Sequence, residues 1–338
     1  MNIRLITTIV SVILASFSAM AEDVRIVVAQ DGSGDFTTVQ QAVDAAPDFY
    51  RGGAITIVLK PGIYKEKLTV PASKQRIHLA GEDALTTVIT WDDYALRERP
   101  AGNPMGTSAT PTVFVFGDDF FAENITFENS AGEGRDIAQA VAIMVNADRA
   151  AFVGCRFLAN QDTIYTYGKW QRQYYRDCYI EGTTDFIFGA STCWFENCTI
   201  HSKKDSYVTA ASTPEGAEFG YVFNNCRLTH SKGVTKVYLG RPWRPFARTV
   251  FIGCKLSDHI LKEGWHDWNK PYAHDTVLYA EYGSYGPGSS DKAGRVSWSR
   301  ILTPEEACGY VVAKVLDAGT EIDKNGVAVP VEWYYKVF

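Results

Sequence analysis

Two aspartates, Asp162 and Asp185, each lie seven residues after a cysteine, Cys155 and Cys178 respectively. If those cysteines occupy equivalent places on adjacent turns of a repeat, the aspartates do too, and stacked strands put them about 5 Å apart. Two carboxylates that close cannot both ionise cheaply, so one keeps its proton near neutral pH. A neutral acid beside an ionised carboxylate is a usable proton donor and nucleophile pair. Most loop aspartates only cap a turn, and Asp205 also lies seven residues after a cysteine, Cys198. The offset alone therefore does not single out the pair. Local context does: Asp162 sits in Gln161-Asp162-Thr163 and Asp185 in Asp185-Phe186-Ile187-Phe188-Gly189, whereas Lys203-Lys204-Asp205-Ser206 reads as a solvated charged turn. Gln139 lies one coil-length before Asp162, so the amides of Gln139 and Gln161 can donate to a developing oxyanion. Arg241, in Leu239-Gly240-Arg241-Pro242-Trp243, can hold one aspartate ionised.

The elements that must position these groups form a repeat. Five segments share an aromatic residue, two further residues, Cys, any residue and an apolar one: Phe152 to Phe157, Tyr175 to Ile180, Phe195 to Ile200, Phe223 to Leu228 and Phe251 to Leu256. The cysteines are 23, 20, 28 and 28 residues apart. That pattern suggests a fixed strand position with loops of varying length. Each segment alternates at period two, as strands do. No ten-residue helix fits between most of them, which argues against βαβ crossovers. Short strands running in one direction without helices imply a parallel β-helix, with Cys forming an interior ladder. A β-sandwich would need hairpin signals between strand pairs, and the Asn325-Gly326 pair lies near the C-terminus.

The ends and loops follow from the same reading. Val39, Ala42, Val43 and Ala46 have helix spacing, with Thr37 or Thr38 as cap, so a short helix is expected to plug the first coil. Thr303-Pro304-Glu305-Glu306 opens a second helix expected to lie back along the solenoid. Segments 92–110 and 260–292 are rich in Gly, Pro, Asp and Ser and read as loops on the binding face. A Cys178–Cys198 bridge is within reach of neighbouring coils, although unpaired buried cysteine is favoured. There is no C-x-x-C pair and no Asp, Glu or His cluster with ligand spacing, so neither a metal nor a cofactor is expected.

Composition bounds the class of partner. The 338 residues are 46% hydrophobic and 21% charged, with a formal net charge of −6. Arg4, the apolar run 5–17 and Ala19-Met20-Ala21 form a secretion signal over 1–21, leaving a mature domain over 22–338. No later run is long enough to span a membrane. The acidic balance excludes nucleic acid bound through a basic patch and suits a partly neutralised polyanion.

Taken in order, Gly62-Ile63-Tyr64-Lys65-Glu66, Gln139-Ala140-Val141-Ala142, Gln161-Asp162-Thr163, Asp185-Phe186-Ile187-Phe188-Gly189 and Leu239-Gly240-Arg241-Pro242-Trp243 resemble the motifs of the pectin methylesterase (pectinesterase) family. Asp31-Gly32-Ser33-Gly34-Asp35-Phe36, Gly264-Trp265 and Arg295-Val296-Ser297-Trp298 fit the same pattern. The resemblance covers nearly the whole mature chain. It implies a right-handed single-stranded parallel β-helix and hydrolysis of pectin methyl esters by an exported, monomeric enzyme. It also implies residue roles: Asp185 as nucleophile, Asp162 as general acid then base, Gln139 and Gln161 as oxyanion hole, and Arg241 orienting Asp185. Thr112, Tyr165, Phe188 and Trp243 would line the sugar groove, with Thr110 an alternative to Thr112. A catalytic domain directly after the signal suggests a bacterial-type member. No Gly-x-Ser-x-Gly elbow is present, which removes the usual serine esterase. Carboxylates about 5 Å apart would also suit a retaining glycosidase, but an oxocarbenium ion has no use for two amide donors. A non-catalytic sugar-binding solenoid would keep the aromatics and need none of the five polar residues.

Overall fold

A computed structural model describes residues 23–317, 319–322 and 328–335. The signal expected over 1–21 and the Asn325-Gly326 pair lie outside the described residues, although the strands Thr320–Ile322 and Ala328–Pro330 on either side of that pair run antiparallel.

Three parallel sheets of eleven, seven and eight strands make up the solenoid, and the chain visits them in fixed rotation. One coil, for example, contributes Arg172–Arg176 to the first sheet, Tyr179–Gly182 to the second and Ile187–Gly189 to the third. Each strand pairs with its counterpart one coil away, as Tyr175 does with Phe195 and Ile180 with Ile200.

The repeated segments occupy the corner between the first and second sheets. Their aromatic rings form an interior stack, Phe152, Tyr175, Phe195, Phe223 and Phe251, with centroids 4.9, 4.7, 4.5 and 4.4 Å apart. That spacing is close to the distance between hydrogen-bonded strands, so one ring per coil fills the core without a gap. Cys155, Cys178, Cys198, Cys226 and Cys254 are buried beneath the corner, and all seven cysteines are free thiols. The bridge weighed for Cys178 and Cys198 is therefore not formed. Each of the five ladder thiols instead reaches a carbonyl on the preceding coil, as Cys198 does that of Tyr175 at 3.5 Å and Cys254 that of Phe223 at 3.3 Å. A small apolar residue with a weak donor fits this place.

The residue before each ladder cysteine makes the turn. Gly154, Asp177, Asn197, Asn225 and Gly253 all have φ between 53° and 61°. Gly, Asn and Asp are the residues that tolerate this left-handed conformation. Asn225 Nδ2 also donates to Asn197 Oδ1 at 2.7 Å, tying consecutive corners together.

A helix plugs the first coil as expected, and the C-terminal segment runs back along the solenoid. Helix Val39–Ala45 is capped by Thr38 and buries Val39, Ala42 and Val43 over the first coil. Glu66, from the Gly62-to-Glu66 motif, accepts the Val39 and Gln40 N–H groups at 2.8 and 2.9 Å. That motif therefore docks the cap, where an acidic group complements the helix terminus. Helix Pro304–Ala307 starts with a Thr303–Glu306 capping box. The tail then lays Val315, Leu316, Trp333 and Tyr334 against Phe121, Ala151, Tyr174, Trp194 and Val222 on the outside of the first sheet.

Candidate active site

The outward face of the third sheet carries one apolar row, in register from coil to coil: Phe114, Met144, Tyr165, Phe188 and Ala210. Tyr165 and Phe188 stack at 4.2 Å, and Trp243 leans on them at 6.1 and 5.8 Å. The corner leading into this sheet supplies the polar groups. Ile164 pairs with Ile187, so Asp162 and Asp185 occupy equivalent places on adjacent coils. Both have positive φ, 69° and 50°. Aspartate is one of the few non-glycine residues that adopt this left-handed turn readily.

Register also explains why Asp205 is not a third member. Between its coil and the one before, the shift is 20 residues in the second sheet, Tyr179 to Thr199, but 22 in the third, Ile187 to Thr209. Its corner is therefore longer, and the equivalent of Asp185 is Tyr207, whose carbonyl accepts the Asp185 N–H at 2.9 Å. Asp205 lies exposed and accepts the Thr235 and Lys236 N–H groups. Asp205→Asn should leave methanol release within about twofold of wild type, the scale of an exposed substitution; a large loss would show that the motif context misled.

A cavity of about 480 Å³ opens over the pair, lined by Gln139, Gln161, Asp162, Asp185, Tyr165, Phe188, Arg241 and Trp243 together with Thr107, Ser108, Ala210 and Trp268. Asp162 and Asp185 are only 8% and 6% exposed. Arg241 grips Asp185 with both prongs, Nε to Oδ1 at 2.9 Å and Nη2 to Oδ2 at 2.6 Å. Its guanidinium lies between Tyr207 and Trp268, 3.8 and 3.6 Å from the ring centroids. Burial pushes the Asp162 carboxyl well above the usual carboxylate range, the neighbouring Asp185 charge adds to this, and Arg241 opposes it. Burial also raises Asp185, but Arg241 acts directly against that through its hydrogen bonds and charge. The arrangement therefore favours a protonated Asp162 beside an ionised Asp185.

Thr112 needs correcting. It is fully buried, its hydroxyl donates to the Glu128 carbonyl at 2.7 Å, and it does not line the cavity. Thr110 is buried too and accepts the Val141 N–H. Their hydroxyls hold the sheet edge, while Thr107 and Ser108, on a short 3-10 turn, form the wall. Sequence reasoning flagged both loops around the site without singling out Thr107, Ser108, Tyr207 or Trp268. Trp268 has a φ of 56° and its N–H donates to His266 Nδ1, a turn that no spacing rule reveals. Gly264-Trp265 serves the core: Trp265 is buried and stacks on Tyr279 at 4.5 Å.

Trp268→Leu should free one face of the Arg241 guanidinium. Loss of a desolvated cation–π contact is worth about 2 kcal/mol, so kcat should fall by roughly thirtyfold. The acid limb of the pH–rate profile should move upward as Asp185 becomes harder to ionise. A change in KM alone would mean that Trp268 only touches substrate.

The pectinesterase family pattern matches residues 25–319. The chain belongs to the pectinesterase family. "Pectinesterase 31" of Arabidopsis thaliana is 44% identical over 304 residues, covering 88% of this chain and 94% of its own length. The solved pectin methylesterase from carrot is 33% identical with a TM-score of 0.80, covering 86% of this chain and 92% of that one. A pectin methylesterase solved in complex with a hexasaccharide is 31% identical with a TM-score of 0.74, covering 86% and 96%. The shared fold is the right-handed parallel β-helix. Some pectinesterases are longer: the chain spans 50% of the Arabidopsis thaliana "Probable pectinesterase/pectinesterase inhibitor 13", to which it is 38% identical. Membership makes this pectinesterase a carboxylic ester hydrolase.

Proposed function

We propose that this pectinesterase removes methyl groups from methylated homogalacturonan through a covalent acyl-enzyme on Asp185. The observation that carries the proposal is the forked Arg241–Asp185 pair set beside the buried Asp162 carboxyl. An Asp185 oxygen attacks the ester carbonyl carbon, and the oxyanion that forms takes hydrogen bonds from the Gln139 and Gln161 amides. As the tetrahedral intermediate collapses, the C–OCH3 bond breaks and Asp162 gives its proton to the departing oxygen, releasing methanol. Asp162, now ionised, takes a proton from water. The hydroxide attacks the anhydride carbonyl, the bond to Asp185 breaks, and both carboxyl groups return to their starting states.

Tyr165, Phe188 and Trp243 offer flat apolar surface for sugar rings, with Thr107 and Ser108 in the place expected of Thr112. The cavity continues on both sides. A depression of about 400 Å³ shares Gln161 and includes Arg135 and Lys204, and one of about 690 Å³ shares Tyr165 and Trp243 and includes Lys169 and Arg244. Each flank sets two cationic side chains against one acidic one, Glu133 or Glu215, a local positive balance that suits a polymer carrying some free carboxylates despite the acidic whole. The signal-like segment 1–21 supports export as a mature domain over 22–338. No helix of the described residues is long and apolar enough to cross a membrane.

The proposed chemistry uses amide and guanidinium donors where a metal-dependent hydrolase uses a Lewis acid. Dialysis against EDTA should therefore leave methanol release from highly methylated pectin intact. Unsaturated or reducing-end products in place of methanol would overturn the proposal in favour of chain cleavage.

A further inference from the structure

Farther along the same corner, the fold brings together three residues whose spacing in the sequence gave no ligand signature. His230 ends the second-sheet strand Arg227–His230, while Asp258 and His259 follow the next coil's strand, Lys255–Leu256. One ligand atom from each lies within 4.8 Å of the other two. The His230 and His259 rings are 4.5 Å apart and tilted by 31°.

Two observations point to a ligand there. His259 is only 1% exposed, and both of its ring nitrogens are buried without a hydrogen-bond partner. An unmet buried polar group is costly and calls for an explanation. The second is the tautomer of His230. Its Nδ1 lies 3.0 Å from the Ser231 carbonyl, which can only accept, so Nδ1 carries the proton. Its other nitrogen, Nε2, is thereby aimed at Asp258 Oδ1, 3.0 Å away. An imidazole whose far N–H is held by a carbonyl is also the usual arrangement of a metal-bound histidine. His201, close by, is already engaged on both nitrogens by the Thr229 and Ser231 hydroxyls.

We propose that His230, Asp258 and His259 bind one divalent zinc-class ion that clamps two successive coils together, away from the ester-cleaving site. Two imidazole nitrogens and one carboxylate oxygen are a donor set that zinc accepts with a fourth position left to solvent. Because the ligands come from adjacent coils, binding should stabilise the folded chain without entering the chemistry.

The test uses the untagged full domain carrying Cys308→Ser, which removes the exposed thiol as a rival ligand. Titration with Zn2+ should show one equivalent bound and a rise in Tm, and Co2+ should give the visible absorption of a four-coordinate ion. His230→Gln and Asp258→Asn should each weaken Zn2+ binding by at least roughly tenfold, the smallest loss seen when a metal site is disturbed, and should abolish the Tm rise. Asp258 is exposed, so its substitution keeps the test open if His230→Gln fails to fold. Methanol release should be unchanged in both variants, which separates failure here from failure of the proposed reaction. Absence of stoichiometric Zn2+ uptake, or equal affinity in Asp258→Asn, would overturn the site and leave the His230–Asp258 contact as a proton-bridged ion pair.

Discussion

Asp185→Ala should abolish methanol release, and Asp162→Asn should come close to doing so. The first removes the nucleophile, so no acyl-enzyme can form; losing one member of a catalytic unit costs on the order of 10⁴–10⁶ in kcat. The second preserves shape but can neither protonate methanol nor activate water. The two variants should separate on pH. Wild-type rate needs Asp185 ionised and Asp162 protonated, so the acid limb belongs mainly to Asp185 and the alkaline limb to Asp162, as macroscopic values of the pair. Burial and the Asp185 charge raise the Asp162 carboxyl, which should carry the alkaline limb above the ordinary carboxylate range. Residual activity of Asp162→Asn should lack that limb.

The same shift makes a stability statement. A carboxyl whose folded pKa is raised stabilises the native state at pH values below its unfolded pKa. That contribution is lost as pH rises from the unfolded value through the folded one. Asn carries no such loss. Asp162→Asn should therefore melt at a higher temperature than wild type at neutral pH, and the advantage should vanish on acidification below the unfolded carboxylate range. A variant that is inactive yet no more stable at any pH would mean that Asp162 is not held protonated. Active, folded forms of both variants would sink the assignment outright.

Arg241→Lys should lower kcat by roughly 10–10³-fold, the scale of a lost transition-state contact, although charge is conserved. The forked contact to both Asp185 oxygens needs a planar guanidinium. So does its seat between Tyr207 and Trp268, since a flat cation stacks between two rings where an ammonium does not. A lysine would leave Asp185 buried with a single, mobile partner. Its own burial would then push its pKa further up, and the acid limb should follow. Wild-type turnover with an unmoved acid limb would remove Arg241 from the site.

Much of the coil was legible because its signals are local. The aromatic and the cysteine of each repeat are read every coil by the same environment, a ring stack and a thiol beneath a corner. The residue before the cysteine is Gly, Asn or Asp in all five repeats, the types that adopt its left-handed φ most readily, a regularity that the spacing argument did not use. Thr303 and Glu306 wrote their helix start directly into the chain. Thr112 was the opposite case. Whether its hydroxyl faces solvent or the Glu128 carbonyl depends on the pairing of a strand edge, and nothing adjacent in sequence encodes that.

The sequence by itself determined the repeat, the parallel solenoid, the family, and the identities of Asp162, Asp185, Gln139, Gln161 and Arg241 as the polar groups to watch, because each rests on short-range spacing or on a motif carried whole. Only the tertiary structure showed how the chosen two become partners. Asp162, Asp185 and Asp205 share one offset from their cysteines, and it was the register of the third sheet that set the first two side by side and swung the third into solvent. The same holds for Trp268 over Arg241 and for His230 against Asp258 and His259, groups joined across coils by loops of unequal length. Spacing along a chain fixes what repeats within a coil; contact between coils depends on how many residues each corner takes up before the next strand begins.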